Sequence, residues 1–174
     1  MSLRFIIEKL AAAHDRNVFE CGNAALDRYL QQFARQDSKR GIANCFVAVP
    51  EDSSPAIAGF YTLSATAIPL PDLPDGALKR LPRYGNVPAV LIGRLAVDTR
   101  YRSMRLGEAM LYDAAERVLA SAPAAFALVV DAKDAEAASF YRRYGFEWLG
   151  QPEVGRSLFV PIASLDAHRR KDTP

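Results

Sequence analysis

The sequence predicts an α+β (α/β) fold on a sheet of mixed strand direction, and two patterns carry that prediction. From residue 87 onward the chain alternates strand, helix, strand, helix and strand, and ahead of that run a helix leads into a meander of strands. A chain of 174 residues, 50% hydrophobic and 24% charged, has the size and composition of one packed core. Residues 1–166 are expected to form that domain, and the polar stretch 167–174 is expected to fray.

Asn23 follows Gly22 and offers a side-chain oxygen to the first turn of a helix, while Leu26, Tyr29, Leu30 and Phe33 recur on one helical face. This helix is expected to end near Gly41, after Lys39 and Arg40 at the negative end of its dipole. Cys45–Val49 reads as a strand, Glu51–Pro55 as a turn, and Ile57–Ile68 as a longer strand with a bulge at Gly59. Pro69, Pro71, Pro74, Pro82 and Pro88 make the next stretch an irregular excursion with one helical turn around Ala77–Leu81. Val87–Asp98 is apolar enough for a strand buried on both faces. Leu106–Ala120 carries a helical stripe of Met110, Leu111, Ala114 and Val118, and Phe126–Asp131 is a second buried strand. Asp134 is placed to cap a short helix through Tyr144 that Gly145 ends. Phe146–Leu149 and Ser157–Ile162 read as a closing pair of strands.

Composition narrows the functional classes. Pro88, Gly93 and Arg94 break the longest apolar run below membrane-spanning length, and Arg4, Glu8 and Lys9 interrupt any signal-peptide core. Cys21 and Cys45 make no disulfide framework; they suit small buried positions in a reducing cytoplasm. His14 and His168 stand at opposite ends without ligand spacing, so no metal is expected. A net charge of +2 implies no nucleic-acid partner unless the charges cluster.

The chemistry concentrates where a buried strand meets a helix through a basic turn, Arg94-Leu-Ala-Val-Asp-Thr-Arg-Tyr-Arg-Ser-Met-Arg-Leu-Gly-Glu-Ala109. A helix N-terminus presents unpaired N–H groups and a partial positive charge, which suit a pyrophosphate. Gly107 permits close backbone approach, and Arg100, Arg102 and Arg105 add formal charge. Taken alone, such a turn is more often a solvated basic loop before an ordinary helix.

In its context the turn resembles the acetyl-CoA loop of the GNAT superfamily, Arg/Gln-x-x-Gly-x-Gly/Ala after a Leu-Ala-Val strand. Arg102-Ser-Met-Arg-Leu-Gly107 follows that pattern with Arg105 where the first glycine is usual. Ala138-Ser-Phe-Tyr-Arg-Arg-Tyr-Gly-Phe146 is similar to the second signature of the superfamily, a helix carrying Phe-Tyr and ending in Gly-Phe. The resemblance implies a GNAT-type, mostly antiparallel central sheet flanked by helices. It also implies acetyl-CoA as co-substrate, held by Leu95, Ala96, Val97, Arg102, Ser103, Met104, Arg105, Leu106, Gly107, Glu108, Ala109 and Phe140. Within that set, Leu95–Val97 would pair with the pantetheine arm, and a backbone N–H there would polarise the acetyl carbonyl. Tyr141 would protonate the departing CoA sulfur, since a phenol of pKa about 10 keeps its proton at neutral pH. A tyrosine on a helix face is also an ordinary core residue.

Phe19-Glu-Cys-Gly-Asn-Ala-Ala-Leu-Asp-Arg-Tyr-Leu30, Gly59-Phe-Tyr-Thr-Leu-Ser64, Leu81-Pro-Arg-Tyr84 and Gly93-Arg-Leu-Ala-Val-Asp98 resemble the GNAT toxins of bacterial toxin–antitoxin pairs, a likeness that runs from residue 3 to 165. That branch implies acetylation of the α-amino group of aminoacyl-tRNA, a block of translation and neutralisation by a ribbon-helix-helix antitoxin, and it allows a homodimer. Candidate tRNA contacts are Arg35, Lys39 and Arg40 after the first helix, Lys79, Arg80 and Arg83 in the excursion, and Arg142 and Arg143 beside Tyr141. Arg94 is the sharpest candidate, because an arginine in an apolar strand needs a carboxylate or the ligand as partner. No histidine lies near either motif, which leaves water or Glu108 as base; an α-amine of pKa about 8 needs one less than a lysine at about 10.4. Two other readings stay open on the sequence: a GNAT enzyme for a small amine or a protein N-terminus, and a non-catalytic module that binds acetyl-CoA for regulation.

Overall fold

The structure, a computed structural model, describes residues 3–52, 54–153 and 155–172. Among the described residues, seven strands form one sheet in the order β1-β2-β3-β4-β5-β7-β6: β1 (Phe5–Lys9), β2 (Asn44–Pro50), β3 (Gly59–Pro69), β4 (Asn86–Val97), β5 (Ala127–Asp131), β6 (Glu147–Trp148) and β7 (Ser157–Pro161). The helices are α1 (Ala24–Arg28), α2 (Ala34–Lys39), α3 (Asp75–Leu78), α4 (Leu106–Ala120), α5 (Ala135–Arg143) and α6 (Ile162–Asp172). β4 and β5 run parallel, as the α4 crossover between them requires, whereas β1–β2, β2–β3, β5–β7 and β6–β7 are antiparallel. The expected mixed, mostly antiparallel sheet is therefore present. Contacts divide the chain into two compact units, Met1–Ser64 with Gly93–Asp113 and Ala65–Ile92 with Ala114–Pro174.

In the first unit, Asn23 caps α1 as its position predicts, its Oδ1 accepting the N–H groups of Ala25 and Leu26. Tyr29 and Leu30 are buried against Phe19, Val47, Ile57 and Phe60. Phe33 departs from the expected face and is 40% exposed, while Ala34 is fully buried. The cause is a π-helical turn over Tyr29–Phe33, whose wider spiral rotates Phe33 off the stripe. Phe33 instead lies beneath the Arg28 guanidinium, 5.8 Å from its ring centroid.

Gly59 is not a bulge. Its register with β2 is unbroken, and a Cβ there would stand 2.9 Å from Met110 Cε and 3.1 Å from the Ala96 carbonyl, so the strand surface must come close at this point. β1 carries no strong strand signal: with Arg4, Glu8 and Lys9 it reads as charged, which is how an edge strand is protected. Cys21 and Cys45 are not joined in a disulfide and both are buried, as expected of small apolar side chains, and burial pushes the Cys45 thiol up to about 12.

In the second unit, Asp134 caps α5 by accepting the Ala137 N–H, and Gly145 ends that helix at φ +90°. Ile68, Val87, Ala89, Ala127, Val129 and Phe159 form its core. The excursion forms a 3-10 turn over Leu70–Asp72 and then α3, one step earlier than the turn expected around Ala77–Leu81. Pro74 fixes the backbone ahead of α3, and Pro82 disfavours helical geometry at Leu81. β4 is not buried evenly on both faces: its buried residues are Val87, Ala89, Ile92 and Ala96, so the buried parity changes between Ala89 and Ile92. Residues 167–172, expected to fray, continue α6, while Ser53, Thr173, Pro174 and the His168 side chain lie outside the described residues. Met110, Leu111, Ala114 and Val118 form the buried stripe of α4 as its spacing predicts.

Candidate active site

In the first unit, β4 delivers the chain into a tightly determined loop. Leu95 and Val97 are half-buried and Ala96 is buried, and Asp98 follows with no exposure at all. Asp98 Oδ2 accepts the Glu20 N–H at 3.0 Å and Arg100 Nη2 at 2.9 Å, and Oδ1 accepts both the N–H and Nε of Arg100 at 2.9 Å. Burial alone would raise this carboxyl, but the hydrogen bonds from Arg100 and Glu20 outweigh it and hold Asp98 below its ordinary range. Its stabilising effect is complete above the unfolded carboxylate pKa of about 3.9 and is lost as pH falls through the lower folded value. Thr99 N–H donates to Glu20 O at 2.8 Å and Arg102 Nη2 to Cys21 O at 2.7 Å. Three hydrogen bonds thus clamp the 20–22 segment to the loop. Asp98 is a positioning residue that the sequence reading gave no role.

Two non-glycine residues of this loop have left-handed backbones, Ser103 at φ 65° and Arg105 at φ 56°. Such outliers persist only where surrounding structure imposes them, and they cluster at ligand clamps. Arg105 is the residue standing where glycine is usual, and its conformation explains why glycine suits that position. Its guanidinium is exposed and bidentate on Glu108, with both bonds at 2.8 Å. Leu106 is buried at the start of α4, Gly107 and Glu108 are half-buried, and Ser103, Met104 and Ala109 are exposed. Arg105→Gly is expected to be more stable than Arg105→Ala by about 1 kcal/mol, because a Cβ in the left-handed region costs about 1–2 kcal/mol. Urea midpoints check this, and equal midpoints would show that the loop can relax away from positive φ.

Arg94 finds a partner that the sequence did not suggest. Its guanidinium carbon sits 3.5 Å from the centroid of the Tyr29 ring, and Tyr29 Oη donates to Asp37 Oδ2 at 3.0 Å. Burial, reinforced by the Asp37 hydrogen bond, raises the Tyr29 phenol well above its usual value. Arg94 is therefore held by an internal aromatic face whose hydroxyl leads to a carboxylate. Arg35 is half-exposed on α2, and Lys39 and Arg40 are exposed at its end.

In the second unit, α5 carries Phe140 and Tyr141. The Tyr141 ring packs edge-on against Phe140 at 5.2 Å and tilted against Phe146 at 5.4 Å. Its carbonyl accepts the N–H groups of Tyr144 and Phe146 in the turn at Gly145, which ties the helix end to the ring's surroundings. Tyr141 is 8% exposed, and burial raises its phenol above the usual range. Lys79, Arg80, Arg83, Arg142 and Arg143 are exposed in this unit.

Two clefts in the second unit were not legible from the sequence. One, of about 600 Å³, has apolar walls from Ile68, Leu91, Val129 and Leu149 and carries Asp72 and Asp131. The other, of about 530 Å³, gathers Lys133, Arg142, Arg156 and Trp148. Among the described residues no group of His, Cys, Asp and Glu is placed to hold a metal ion, and no helix is long and apolar enough to cross a membrane.

Comparison with known proteins bears on this arrangement. A family model described as an acetyltransferase (GNAT) domain matches residues 80–161. The probable toxin TacT of Sinorhizobium fredii is 29% identical over 161 residues, 87% of each chain. The tRNA-acetylating toxin of Mycobacterium tuberculosis is 31% identical over 141 residues, 80% of this chain and 82% of the relative. Among solved structures, AtaT complexed with acetyl-methionyl-tRNAfMet superposes with a TM-score of 0.85 at 27% identity, covering 94% of this chain and 98% of that one. AtaTR bound with AcCoA gives 0.77 at 27% identity over 94% and 96%. AtaT bound to the C-terminus of the antitoxin AtaR gives 0.77 at 25% identity over 98% and 99%.

Proposed function

Because the chain belongs to the GNAT acetyltransferase family, we propose that it is an acetyl-CoA-dependent N-acetyltransferase toxin that acetylates the α-amino group of aminoacyl-tRNA in the cytoplasm and so blocks translation. One GNAT domain over residues 1–166 carries the activity, and a ribbon-helix-helix antitoxin neutralises it. The observation that carries this reading is the clamped loop between β4 and α4, with its two left-handed residues at a helix N-terminus, in a chain similar over four-fifths of its length to a tRNA-acetylating toxin. Such a loop suits a pyrophosphate, and the similarity supports the acceptor.

The pyrophosphate lies on the loop Arg102–Gly107 and the first turn of α4. Leu95–Val97, beyond the Ala89–Ile92 register that pairs with β5, takes the pantetheine amides as an added strand would. The neutral α-amine attacks the thioester carbonyl, forming the C–N bond, and a backbone N–H of β4 stabilises the oxyanion. Collapse breaks the C–S bond. The amine gives up one proton, and the CoA sulfur leaves as the thiol, so the overall exchange balances without a cofactor. The raised pKa of Tyr141 keeps its proton in place, but full transfer to a sulfur with a thiol-like pKa of about 8.5 runs uphill. Tyr141 therefore acts as a hydrogen-bond donor to the departing sulfur, and the net proton comes from the amine. Glu108 is paired with Arg105, which leaves solvent as the acceptor of the amine proton.

The cleft of about 600 Å³ suits the aminoacyl end: apolar walls for a side chain, and Asp72 and Asp131 to attract the ammonium before it deprotonates. Incubation with labelled acetyl-CoA and separate pools of charged tRNA, deacylated tRNA, polyamines and peptides tests this. Label is expected on charged tRNA alone. Label on a polyamine or a peptide N-terminus instead would replace this acceptor, and binding of acetyl-CoA without transfer would support a regulatory module.

A further inference from the structure

We propose that the cleft of about 530 Å³ between α5 and the β6–β7 connection docks the single-stranded 3′ end of the tRNA, with Lys133, Arg142 and Arg156 on its phosphates and one base stacked on Trp148. The proposal rests on the reading of the acceptor as aminoacyl-tRNA. Three separate stretches build the cleft: the β5–α5 turn brings Lys133 and Asp134, α5 brings Ser139 and Arg142, and β6 with the approach to β7 brings Trp148 and Arg156. They meet because β7 lies between β5 and β6 in the sheet, with Trp148 opposite Leu158.

The wall is built. Arg156 Nη1 donates to the Lys133 carbonyl at 3.0 Å, and the Ala132 N–H donates to the Arg156 carbonyl at 2.9 Å, so the two cationic turns are stitched together. Ser139 and Arg142 stand three apart on α5 and share a face. The one carboxylate in the lining, Asp134, is committed to capping α5 through the Ala137 N–H. Three cations around a half-buried indole are the elements of single-stranded nucleic-acid recognition: charge for the backbone and an aromatic face for a base. The volume admits a nucleotide or two and not a duplex.

Position argues for the acceptor end rather than any other single strand. Gly155 lines both this cleft and the apolar one assigned to the aminoacyl group. The two adjoin at the β6–β7 connection, so a strand whose last nucleotide carries the amino acid can place its ester in one and its preceding nucleotides in the other.

Trp148 is the chain's single tryptophan, so its emission reports this cleft alone. The intact protein is titrated with the trinucleotide CCA. Emission is expected to be quenched on binding, with the dissociation constant raised by about one to two decades in Lys133→Ala and in Arg156→Ala, the loss typical of one charge-assisted contact. The salt slope of log K should fall by about 1 per cation removed. In transfer assays the same substitutions should raise KM for aminoacyl-tRNA, Arg156→Lys should restore part of the loss, and KM for acetyl-CoA should not change. No quenching in a wild-type protein that does acetylate aminoacyl-tRNA would overturn the proposal. So would a rise in KM for acetyl-CoA alone, which would give the cleft to the cofactor. If trinucleotide binding is found but charged tRNA is not acetylated, the docking site stands and the reading of the acceptor falls.

Discussion

Tyr141→Phe is expected to lower kcat by about 10²–10³-fold, the loss typical of one hydrogen-bond donor to developing charge, while leaving the affinity for acetyl-CoA near that of the wild type. The substitution removes one oxygen from a ring that Phe140 and Phe146 hold in place, so packing should survive. Rapid-mixing kinetics separates the chemical step from binding, and titration calorimetry checks the affinity. Wild-type turnover in the phenylalanine variant would remove the hydroxyl from the mechanism. The pH profile adds a second check. Burial raises the Tyr141 phenol, so its proton is retained through neutral pH and into the alkaline range. The rate should therefore rise with pH as the α-amine, of pKa about 8, loses its proton, with no falling limb from Tyr141 near the ordinary phenol pKa of about 10. A fall centred near that value would show that Tyr141 titrates normally.

Gly107→Glu is expected to remove measurable acetyl-CoA binding. A carboxylate in the first turn of α4 would lie at the pyrophosphate position proposed above, and two like charges about 4 Å apart repel by about 4 kcal/mol at an effective dielectric near 20. That is about three decades in affinity. The fold should tolerate the change, because a negative charge in the first turn of a helix is favourable. Circular dichroism and a thermal melt confirm folding before calorimetry is interpreted. A folded variant that binds acetyl-CoA as the wild type does would show that the phosphates lie elsewhere.

Local chemistry was the readable part of this protein. Asn23 and Asp134 cap their helices because short acceptor side chains beside an apolar stripe have one good use there. The stripe of α4 and the strands β2 and β5 follow from period and composition for the same reason. What stayed hidden depends on contacts far apart in the chain. Phe33 fits the helical period and is lost from the core only because a π turn intervenes. Gly59 looks like a bulge until Met110 and the Ala96 carbonyl are seen against it. Asp98 closes the Gly93–Asp98 motif, but its partner Glu20 lies 78 residues away. Lys133, Trp148 and Arg156 carry no mutual spacing, and only the strand order β5-β7-β6 brings them together. Arg105 was visible as a departure from the glycine pattern, yet its left-handed backbone and its pairing with Glu108 required coordinates.

The destination of the acetyl group tests the proposed function most directly. Purified protein, acetyl-CoA and charged tRNA are allowed to react, the RNA is digested to its terminal nucleoside, and the product is located by mass spectrometry. The expected product is N-acetyl-aminoacyl-adenosine, with the acetyl group on the α-nitrogen and none on a lysyl side chain, base or ribose. Unmodified aminoacyl-adenosine, from enzyme that binds acetyl-CoA and is folded, would contradict it.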